Sequence, residues 1–502
     1  MINTILPASR FRTAAWLTVI VVLGLGVRLS GPFSASFPLN DGGLFYQMVL
    51  DVQNNRYQLP EFTSYNGGAI PFAYPPLAFY GYGILQQLSG ISLLDLMRLL
   101  PAVMSGLSVL AFYMLARALA PDEPQALWAT LTFALLPRTF DWLIMGGGLT
   151  RAPGLLFALL ALWQAWRLMQ APTLKTCLWL ALFVGLTALT HPEGLAQIAL
   201  TGVFFYIWKN RTLGGALYGL AAALGGMLLS APWWLVVVSR HGLAPFGAAL
   251  AAARADSLPF LLRPFGLLKF DFTDERILPV FAILGLIGLL RLLAQRKSAL
   301  VLWFFILYLL EPRSGTLYMM IPLALSVAVA LHEVLRPAFA HSRLVWIVLS
   351  GLVVLYGAFN SLEIAAHVAG NLTLRPADLE TFAWIRTHTP VTGRFVLLTN
   401  GHPLNDAVSE WFPALTGRQS LFTVFGAEWQ NDGRFADRLN QYRAVQRCHT
   451  QGATCLEQEL SAIEFTHLYI KTPSVLAEQL IRSPHYRLLY QTEQVLLLER
   501  LP

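Results

Sequence analysis

Long apolar stretches recur along the first 360 residues, and they constrain the fold of this chain more than any other feature. A transmembrane helix needs about 20 predominantly apolar residues. Candidate spans run approximately over 13–30, 96–119, 125–138, 152–170, 176–190, 195–208, 213–238, 277–293, 298–310, 317–335 and 344–361. The sequence therefore predicts an α-helical polytopic membrane protein of about 11 transmembrane helices.

The composition supports this prediction. Hydrophobic residues make up 56% of the chain and charged residues 13%, against roughly 45–50% and about 25% in soluble domains. Because a soluble surface must be covered by polar groups, the missing charge implies that lipid covers much of this protein. The net charge of +7 is typical of basic cytoplasmic loops, and no dense basic patch indicates nucleic-acid binding.

The positions of Lys and Arg predict the orientation of the helices, since these residues are enriched in cytoplasmic loops. Arg10 and Arg12 precede the first span, which places the N-terminus in the cytoplasm and Asp41 outside. The basic residues of later connections fall in alternate loops. This pattern places Asp141, a long 239–276 loop and the segment after 361 outside.

A further apolar stretch, 75–90, does not fit as a span. Asp41 and Asp141 are both predicted outside, so an even number of crossings separates them, yet three apolar stretches lie between them. The stretch 75–90 is short and rich in Tyr and Gly, so we predict an interfacial helix that does not cross the membrane. The first outer loop then covers about 31–95 and contains juxtamembrane helices.

The composition changes at the C-terminal end. We predict a transmembrane domain over 1–370 and a small extracytoplasmic α/β domain over 371–502, where charge density is ordinary. LETFAWIRTH predicts an amphipathic helix, FVLLT and THLYIK predict buried strands, and YRLLYQTEQVLLLER predicts a hairpin. For Cys448 and Cys455 the sequence leaves two alternatives open. They form a disulfide if the compartment is oxidising, or they stay as two free thiols.

Asp41 is the first candidate site residue, because ionisable groups near a membrane are costly and often functional. It lies just past the first span, in FPLNDGGLFYQMVLDVQ. Asn40 and Asp41 are suited to capping the amphipathic helix that follows, and Gly42 and Gly43 allow close approach of the backbone. Asp41 is therefore either a helix cap or an active-site carboxylate.

Asp141 lies in PRTFDWLIMGGGLTRAPG, at the predicted outer end of a span. Gly146–Gly148 predict a tight loop that presses against another group, such as a phosphate or a sugar, although the P-loop pattern is missing. Arg151 is suited to binding an anionic group. The alternative is an ordinary turn with a helix cap.

Two other turns at predicted outer ends carry ionisable residues. His191 and Glu193 lie in LTHPEGLAQ, and Glu311 and Arg313 lie in LLEPRSGTLYMMIP. A histidine at a helix end is more often structural than a ligand, whereas Arg313 is suited to bidentate phosphate binding unless it pairs with Glu311. If these groups converge, the carboxylates provide a general base or hold a divalent cation, and the arginine neutralises a phosphate leaving group.

The chain resembles the GT-C superfamily of membrane glycosyltransferases. The resemblance is carried by Asp41 in the first outer loop, by YPPLAFY at Tyr74–Tyr80, by Asp141 and by RSGTLYMMIP. The superfamily includes oligosaccharyltransferase catalytic subunits, protein mannosyltransferases and aminoarabinose transferases. The resemblance implies many spans, juxtamembrane helices in the first outer loop and a C-terminal outer domain.

The resemblance also implies a function. A sugar would pass from a polyprenyl-phosphate-linked donor to a lipid, glycan or protein acceptor outside the plasma membrane, which is the inner membrane of a bacterium. Asp41 would be the essential base or metal ligand, Asp141 the second acidic residue, and Arg313 the basic residue near the donor phosphate. Arg151 is a further candidate for binding that phosphate, and the other site candidates are Tyr74, His191, Glu193 and Glu311. Mg²⁺ or Mn²⁺ would be held by Asp41 and Asp141, although the absence of a DxD motif disfavours a metal. The absence of a WWDYG-like motif disfavours an oligosaccharyltransferase.

Two other functions compete with this one: a transporter or flippase of lipid-linked sugars, and a non-catalytic envelope assembly protein whose outer domain binds a partner. Transporters typically show internal repeats and broken helices near the bilayer midplane. In this sequence no repeat is evident, and the ionisable residues cluster at the predicted ends of spans. We therefore favour the glycosyltransferase.

Overall fold

The computed structural model describes residues 8–68, 70–209, 211–255, 260–310, 312–430 and 432–501. Each predicted span coincides with helical structure over most of its length. From Ala8 to His241 the helices are α1 (Ala8–Ser34), α2 (Gly43–Asn54), α3 (Leu77–Ser89), α4 (Leu93–Leu119), α5 (Glu123–Leu135), α6 (Gly148–Gln170), α7 (Leu174–Thr190), α8 (Glu193–Lys209) and α9 (Leu213–His241). The following helices are α10 (Ala244–Ala255), α11 (Arg263–Gly266), α12 (Val280–Ala294), α13 (Ala299–Leu310), α14 (Pro312–Tyr318), α15 (Met320–Val329), α16 (Arg336–Ala338) and α17 (Arg343–Asn371).

Several of these helices are long and apolar enough to cross a bilayer. Within the described ranges there are six, which cover Phe11–Ser34, Leu93–Leu119, Gly148–Gln170, Leu213–His241, Ser314–Ala338 and Arg343–His388. The shorter apolar helices are Leu174–Thr190, Ala244–Ala253, Val280–Ala294 and Ala299–Leu310. The chain is thus a helical membrane protein, while the count of 11 crossings stays a prediction.

A buried arginine joins three of these helices. Arg28 of α1 donates to Ser105 Oγ of α4 at 3.0 Å, to the Ala134 carbonyl of α5 at 2.7 Å and to Thr139 Oγ1 at 3.1 Å. A charge inside a helical bundle requires such partners. Because Thr139 lies in the connection between α5 and α6, Arg28 also anchors the segment that carries Asp141.

The segment between α1 and α4 contains α2, α3 and a short antiparallel pair of strands, β1 (Phe62–Thr63) and β2 (Ile70–Pro71). The helix predicted over 75–90 is confirmed as α3. Its 13 residues extend about 20 Å at about 1.5 Å per residue, which is less than the ~30 Å hydrocarbon core. This length favours the prediction that α3 does not cross the membrane.

One connection differs from the prediction. The 239–276 region, predicted as a long loop, is partly helical, because α9 continues to His241 and α10 follows at once. The sequence APFGAALAAARA of α10 is rich in alanine, which has the highest helix propensity. Further along, α14, α15, a π-helical turn over Ala330–Leu335 and α16 form one nearly continuous helical segment.

The C-terminal domain, defined here as Pro376–Arg500, is a mixed sheet covered by helices. Its helices are α18 (Pro376–His388), α19 (Ala407–Thr416), α20 (Phe435–Gln451), α21 (Ala453–Glu459) and α22 (Val475–Leu480). Its strands are β3 (Arg394–Leu398), β4 (Gln419–Ser420), β5 (His467–Lys471), β6 (Tyr486–Gln491) and β7 (Val495–Arg500).

The sheet has the strand order β4-β3-β5-β7-β6. The β3 strand pairs in parallel with β4 and β5, and β7 pairs antiparallel with β5 and β6. The predicted helix, both buried strands and the hairpin are confirmed. Cys448 and Cys455 form a disulfide that joins α20 to α21, so of the two alternatives the bridge is the one observed, while Cys177 is a buried free thiol.

Candidate active site

Asp41 forms a bidentate ion pair with Arg151. Asp41 follows α1, and Arg151 lies in the first turn of α6. The guanidinium donates from Nη1 to Asp41 Oδ2 at 2.7 Å and from Nη2 to Asp41 Oδ1 at 2.9 Å, and Gly147 N–H donates to Oδ1 at 3.0 Å. Asp41 is only 7% exposed. Charge-assisted bidentate pairs are both strong and directional, so the two side chains hold each other in one orientation.

The prediction that Asn40 and Asp41 cap the next helix is wrong. The N-cap of α2 is Gly42, and no side chain of the adjoining residues caps it. Asn40 and Gly42 both have positive φ, at 48° and 132°, so the backbone turns and directs Asp41 toward α6. Glu410 of the C-terminal domain supplies the missing cap, because its Oε1 accepts from Gly42 N–H at 2.8 Å.

The glycines after Asp141 lie against the backbone of Asp41. A Cβ atom on Gly146 would collide with the Asp41 carbonyl, and one on Gly147 would lie 2.5 Å from Asp41 Oδ2. Gly146 N–H also donates to the Leu39 carbonyl at 2.8 Å. The tight loop is therefore present, but it presses against the chain itself rather than against a phosphate or a sugar as predicted.

Asp141 belongs to a second buried cluster. Its carboxyl group accepts from Trp142 N–H at 2.8 Å and hydrogen-bonds to Asp274, which pairs with Arg138 at 2.8 Å. Burial raises the pKa of Asp141, and the positive charge of Arg138 partly opposes this shift. Burial and the charge of Asp141 raise the pKa of Asp274 to about 8. The two carboxyl groups therefore keep one proton at neutral pH.

Arg151 links the two clusters. Its Nε donates to the Trp142 carbonyl at 3.2 Å, and its guanidinium lies 5.4 Å from the centre of the Trp142 ring. Its charge also acts on the neighbouring Asp141 carboxyl. One arginine thus contacts Asp41 directly and the segment that carries Asp141.

Tyr74 and His191 extend the site on the other side of α6. The Tyr74 hydroxyl lies 3.2 Å from Thr150 Oγ1 and 2.9 Å from His191 Nδ1. His191 Nε2 lies 3.6 Å from a carboxylate oxygen of Glu193. The Tyr74 ring also meets Trp429 of the C-terminal domain edge to face, with the ring centres 5.4 Å apart.

The structure thus brings five candidates together around the N-terminal turn of α6: Asp41, Tyr74, Arg151, His191 and Glu193. Glu311 lies outside the described residues, and the side chain of Arg313 does as well. The backbone of Arg313 belongs to α14, which meets α8 where Gln197 donates to Ser314 Oγ at 3.1 Å. The α14 helix therefore packs against the first turns of α8, with Tyr318 at its end close to Gly194.

The donor set around Asp41 does not fit the predicted divalent cation. Both carboxylate oxygens of Asp41 accept hydrogen bonds from Arg151, and Asp141 lies beside Arg138. The guanidinium donates to each of the oxygens that Mg²⁺ or Mn²⁺ would need, and its positive charge repels the cation. Within the described ranges, no group of three or more His, Cys, Asp or Glu side chains is arranged to hold a metal.

Sequence reasoning missed two acidic residues of the site, Glu410 and Asp274. Glu410 lies in AVSEWFPALT, where a buried charge interrupts an apolar run, and this pattern was a usable signal. Asp274 lies in the connection before α12, among ordinary charged residues. Nothing in its local sequence indicates that it meets Asp141.

No family model matches this sequence, and no curated protein matches it. Its structural neighbours are GT-C glycosyltransferases. ArnT from Cupriavidus metallidurans bound to undecaprenyl phosphate superposes with a TM-score of 0.56 at 14% identity, over 97% of this chain and 98% of that chain.

Two other solved structures share the fold. Arabinofuranosyltransferase AftD from Mycobacteria gives a TM-score of 0.59 at 16% identity over 97% of this chain, which spans only 40% of AftD. The Archaeoglobus fulgidus oligosaccharyltransferase in complex with Zn and sulfate gives 0.55 at 14% identity, over 91% of this chain and 68% of that chain. These comparisons show the fold that the resemblance implied.

Proposed function

We propose that this chain is a membrane glycosyltransferase that moves a sugar from a polyprenyl-phosphate-linked donor to a hydroxyl group of a lipid, glycan or protein acceptor. The observation that carries the proposal is the buried Asp41–Arg151 pair, which lies in a GT-C fold where α2, α6 and the C-terminal domain meet. ArnT, which matches 97% of this chain, was solved with undecaprenyl phosphate bound. This supports a lipid phosphate as the leaving group.

The reaction needs a base and a counter-charge. The acceptor oxygen forms a bond to the anomeric carbon, the bond from that carbon to the donor phosphate breaks, and the electron pair leaves with the phosphate. The acceptor proton passes to the Asp41 carboxylate, which serves as general base. Arg151 neutralises the departing phosphate. Neither step requires a metal ion, in keeping with the donor set around Asp41.

Arg151 has a second role in this scheme. In the structure it donates to both oxygens of Asp41, so the carboxylate is engaged while the pair is closed. A phosphate group accepts the same bidentate hydrogen bonds. Donor binding would therefore draw Arg151 away from Asp41 and free the carboxylate when the sugar arrives.

The other candidates support these two residues. Tyr74, His191 and Glu193 hold the first turn of α6 from one side, and Asp141 holds the Trp142 segment from the other. Arg313, at the start of α14, stays our candidate for a second contact to the donor phosphate. The site would face outward, with the N-terminus in the cytoplasm, as the distribution of basic residues predicts.

The test compares Asp41→Asn and Arg151→Lys in the full chain reconstituted in nanodiscs. Transfer would be measured with a panel of undecaprenyl-phosphate-linked sugars and extracted envelope acceptors. We expect Asp41→Asn to lose about 10²- to 10⁴-fold in rate, the usual contribution of a general base. Arg151→Lys should lose about tenfold or more, because lysine cannot form the bidentate contact.

Matched controls are Asp437→Asn, an exposed aspartate of the C-terminal domain, and Arg167→Lys, at the other end of α6. Both should retain wild-type transfer. Full transfer by Asp41→Asn would refute the proposed function.

A further inference from the structure

Helix α19 of the C-terminal domain packs directly on the backbone that carries Asp41. Trp411 Nε1–H donates to the Asn40 carbonyl at 2.9 Å, on one side of Asp41. On the other side, Gly42 N–H donates to Glu410 Oε1 at 2.8 Å. A Cβ atom on Gly43 would lie 2.5 Å from the Glu410 carbonyl, so only glycine permits this approach.

The Glu410 carboxyl group caps α2 across the domain interface. The first N–H groups of a helix lack partners within the helix, and the carboxyl of Glu410 faces those of Gly42 and Leu44. Glu410 is 2% exposed. Its own backbone is held in turn, because the Tyr65 hydroxyl donates to the Glu410 carbonyl at 2.7 Å.

Three ionisable groups face the Glu410 carboxyl. Asp41 and Tyr65 belong to the segment between α1 and α4, and Arg151 belongs to α6. Burial raises the pKa of Glu410, and the negative charge of Asp41 raises it further. The hydrogen bonds from α2 and the charge of Arg151 oppose this shift only in part. Glu410 therefore stays neutral to a higher pH than an ordinary glutamate.

We propose that Glu410 is a positioning residue of the active site, which the C-terminal domain supplies: it caps α2 and thereby fixes residues 40–43, so that Asp41 points at Arg151. The proposal rests on the proposed role of Asp41. It gives the C-terminal domain a part in the reaction centre, whereas a separate binding module would not need to touch the backbone around the catalytic carboxylate.

The direct test measures hydrogen–deuterium exchange of the full chain in nanodiscs, over peptides that span 40–46. Glu410→Ala should speed exchange of the first α2 amides by about 5- to 30-fold, as expected for the loss of a helix cap. Glu410→Gln should stay within about threefold of wild type, since its amide oxygen still accepts the hydrogen bond. Glu464→Ala is the matched control, because the Glu464 side chain is 95% exposed, and it should change nothing. Equal exchange in Glu410→Ala and Glu464→Ala would overturn the proposal.

A pH series keeps the proposal testable if Glu410→Ala does not fold. The pKa of Glu410 is raised in the folded chain, so the stability it confers is complete at low pH and is lost as pH rises through that pKa. After correction for intrinsic exchange, protection of 40–46 should fall with pH in the wild type and stay flat in Glu410→Gln. Identical profiles would contradict the proposal.

Transfer assays separate the two hypotheses. If Asp41→Asn abolishes transfer while Glu410→Ala transfers as well as Glu464→Ala does, the function stands and the positioning role fails. If Asp41→Asn transfers normally, the proposed function itself fails, whatever exchange shows. If the proposed function and the positioning role are both correct, Glu410→Ala should lose about 10- to 100-fold in kcat, the effect of a misplaced catalytic group. Glu410→Gln should retain most of the wild-type kcat.

Discussion

A single methyl group added at Gly147 is the most selective perturbation of the Asp41–Arg151 pair. In Gly147→Ala, the new Cβ would lie 2.5 Å from Asp41 Oδ2 and 2.9 Å from Arg151 Nη2. Ordinary contact begins at 3.4 Å. Both atoms are the ends of side chains, so the methyl group displaces one or both members of the ion pair rather than the backbone of α6.

The structure sets the size of the effect. The Asp41 carboxylate must move by about 0.9 Å, the difference between 2.5 and 3.4 Å. A shift of this size breaks at least one of the hydrogen bonds of 2.7 and 2.9 Å. A hydrogen bond to a charged group contributes roughly 1.5–3 kcal/mol. We therefore expect the free energy of unfolding to fall by about 2 kcal/mol, and the transfer rate to fall about 10²-fold, as for a catalytic group misplaced by 1 Å.

The assay combines thermal unfolding in nanodiscs with transfer from undecaprenyl-phosphate-linked sugars. Gly351→Ala is the matched control, because a Cβ on that helical glycine of α17 meets no atom within 4 Å. Gly351→Ala should be neutral or slightly stabilising, since alanine favours a helix. If Gly147→Ala behaves like Gly351→Ala in both measurements, the ion pair does not organise the site and the reasoning is wrong.

Two further predictions concern the neighbouring clusters. The pKa of Asp274, raised to about 8 by burial and by Asp141, lies above the ~3.9 of an unfolded chain. The stability it confers is therefore complete below about pH 4 and lost once pH passes about 8. The thermal midpoint should fall from pH 5 to 9, and parallel slopes for wild type and Asp274→Asn would refute this. Tyr74→Phe removes the hydroxyl that meets His191 and should cost about 1 kcal/mol of unfolding free energy. Tyr80→Phe, measured by the same melts, should cost less, and equal costs would show that the contact contributes nothing.

The helices of the membrane region were predictable because lipid imposes a length and a composition on each span. The helix α3 was predictable from its apolar run, while its placement at the interface, which rests on the even number of crossings that the basic loops allow, stays a prediction. The strands of the C-terminal domain followed from short apolar runs such as FVLLT. The helix α10 was missed because its alanine-rich sequence, which contains a Pro and a Gly, has no clear periodicity of apolar and polar residues.

The members of the site were easier to predict than their partners. Asp41 and Arg151 stood out as ionisable residues close to apolar spans, and Tyr74 followed from the resemblance carried by YPPLAFY. Sequence spacing contains no information that Asp41 pairs with a residue 110 positions away. The local rule that an Asn-Asp pair caps the next helix failed because a buried guanidinium offers two charge-assisted bonds, whereas a cap offers one. Glu410 was missed because it lies in a domain whose charges appeared ordinary.

Burial and the negative charge of a neighbouring carboxylate raise the pKa values of two carboxyl groups of the site, Glu410 and Asp274. Asp41, Glu410, Asp141 and Asp274 surround two guanidinium groups, those of Arg151 and Arg138, so four ionised carboxylates would leave an excess of two negative charges. A donor phosphodiester carries a further negative charge, and a low-dielectric site of that sign would repel it. The raised pKa values of Glu410 and Asp274 reduce this excess, because both groups hold their protons to a higher pH than ordinary carboxyl groups do. An anionic donor can then compete with Asp41 for Arg151, and the affinity for that donor should weaken as pH rises and the two protons are lost.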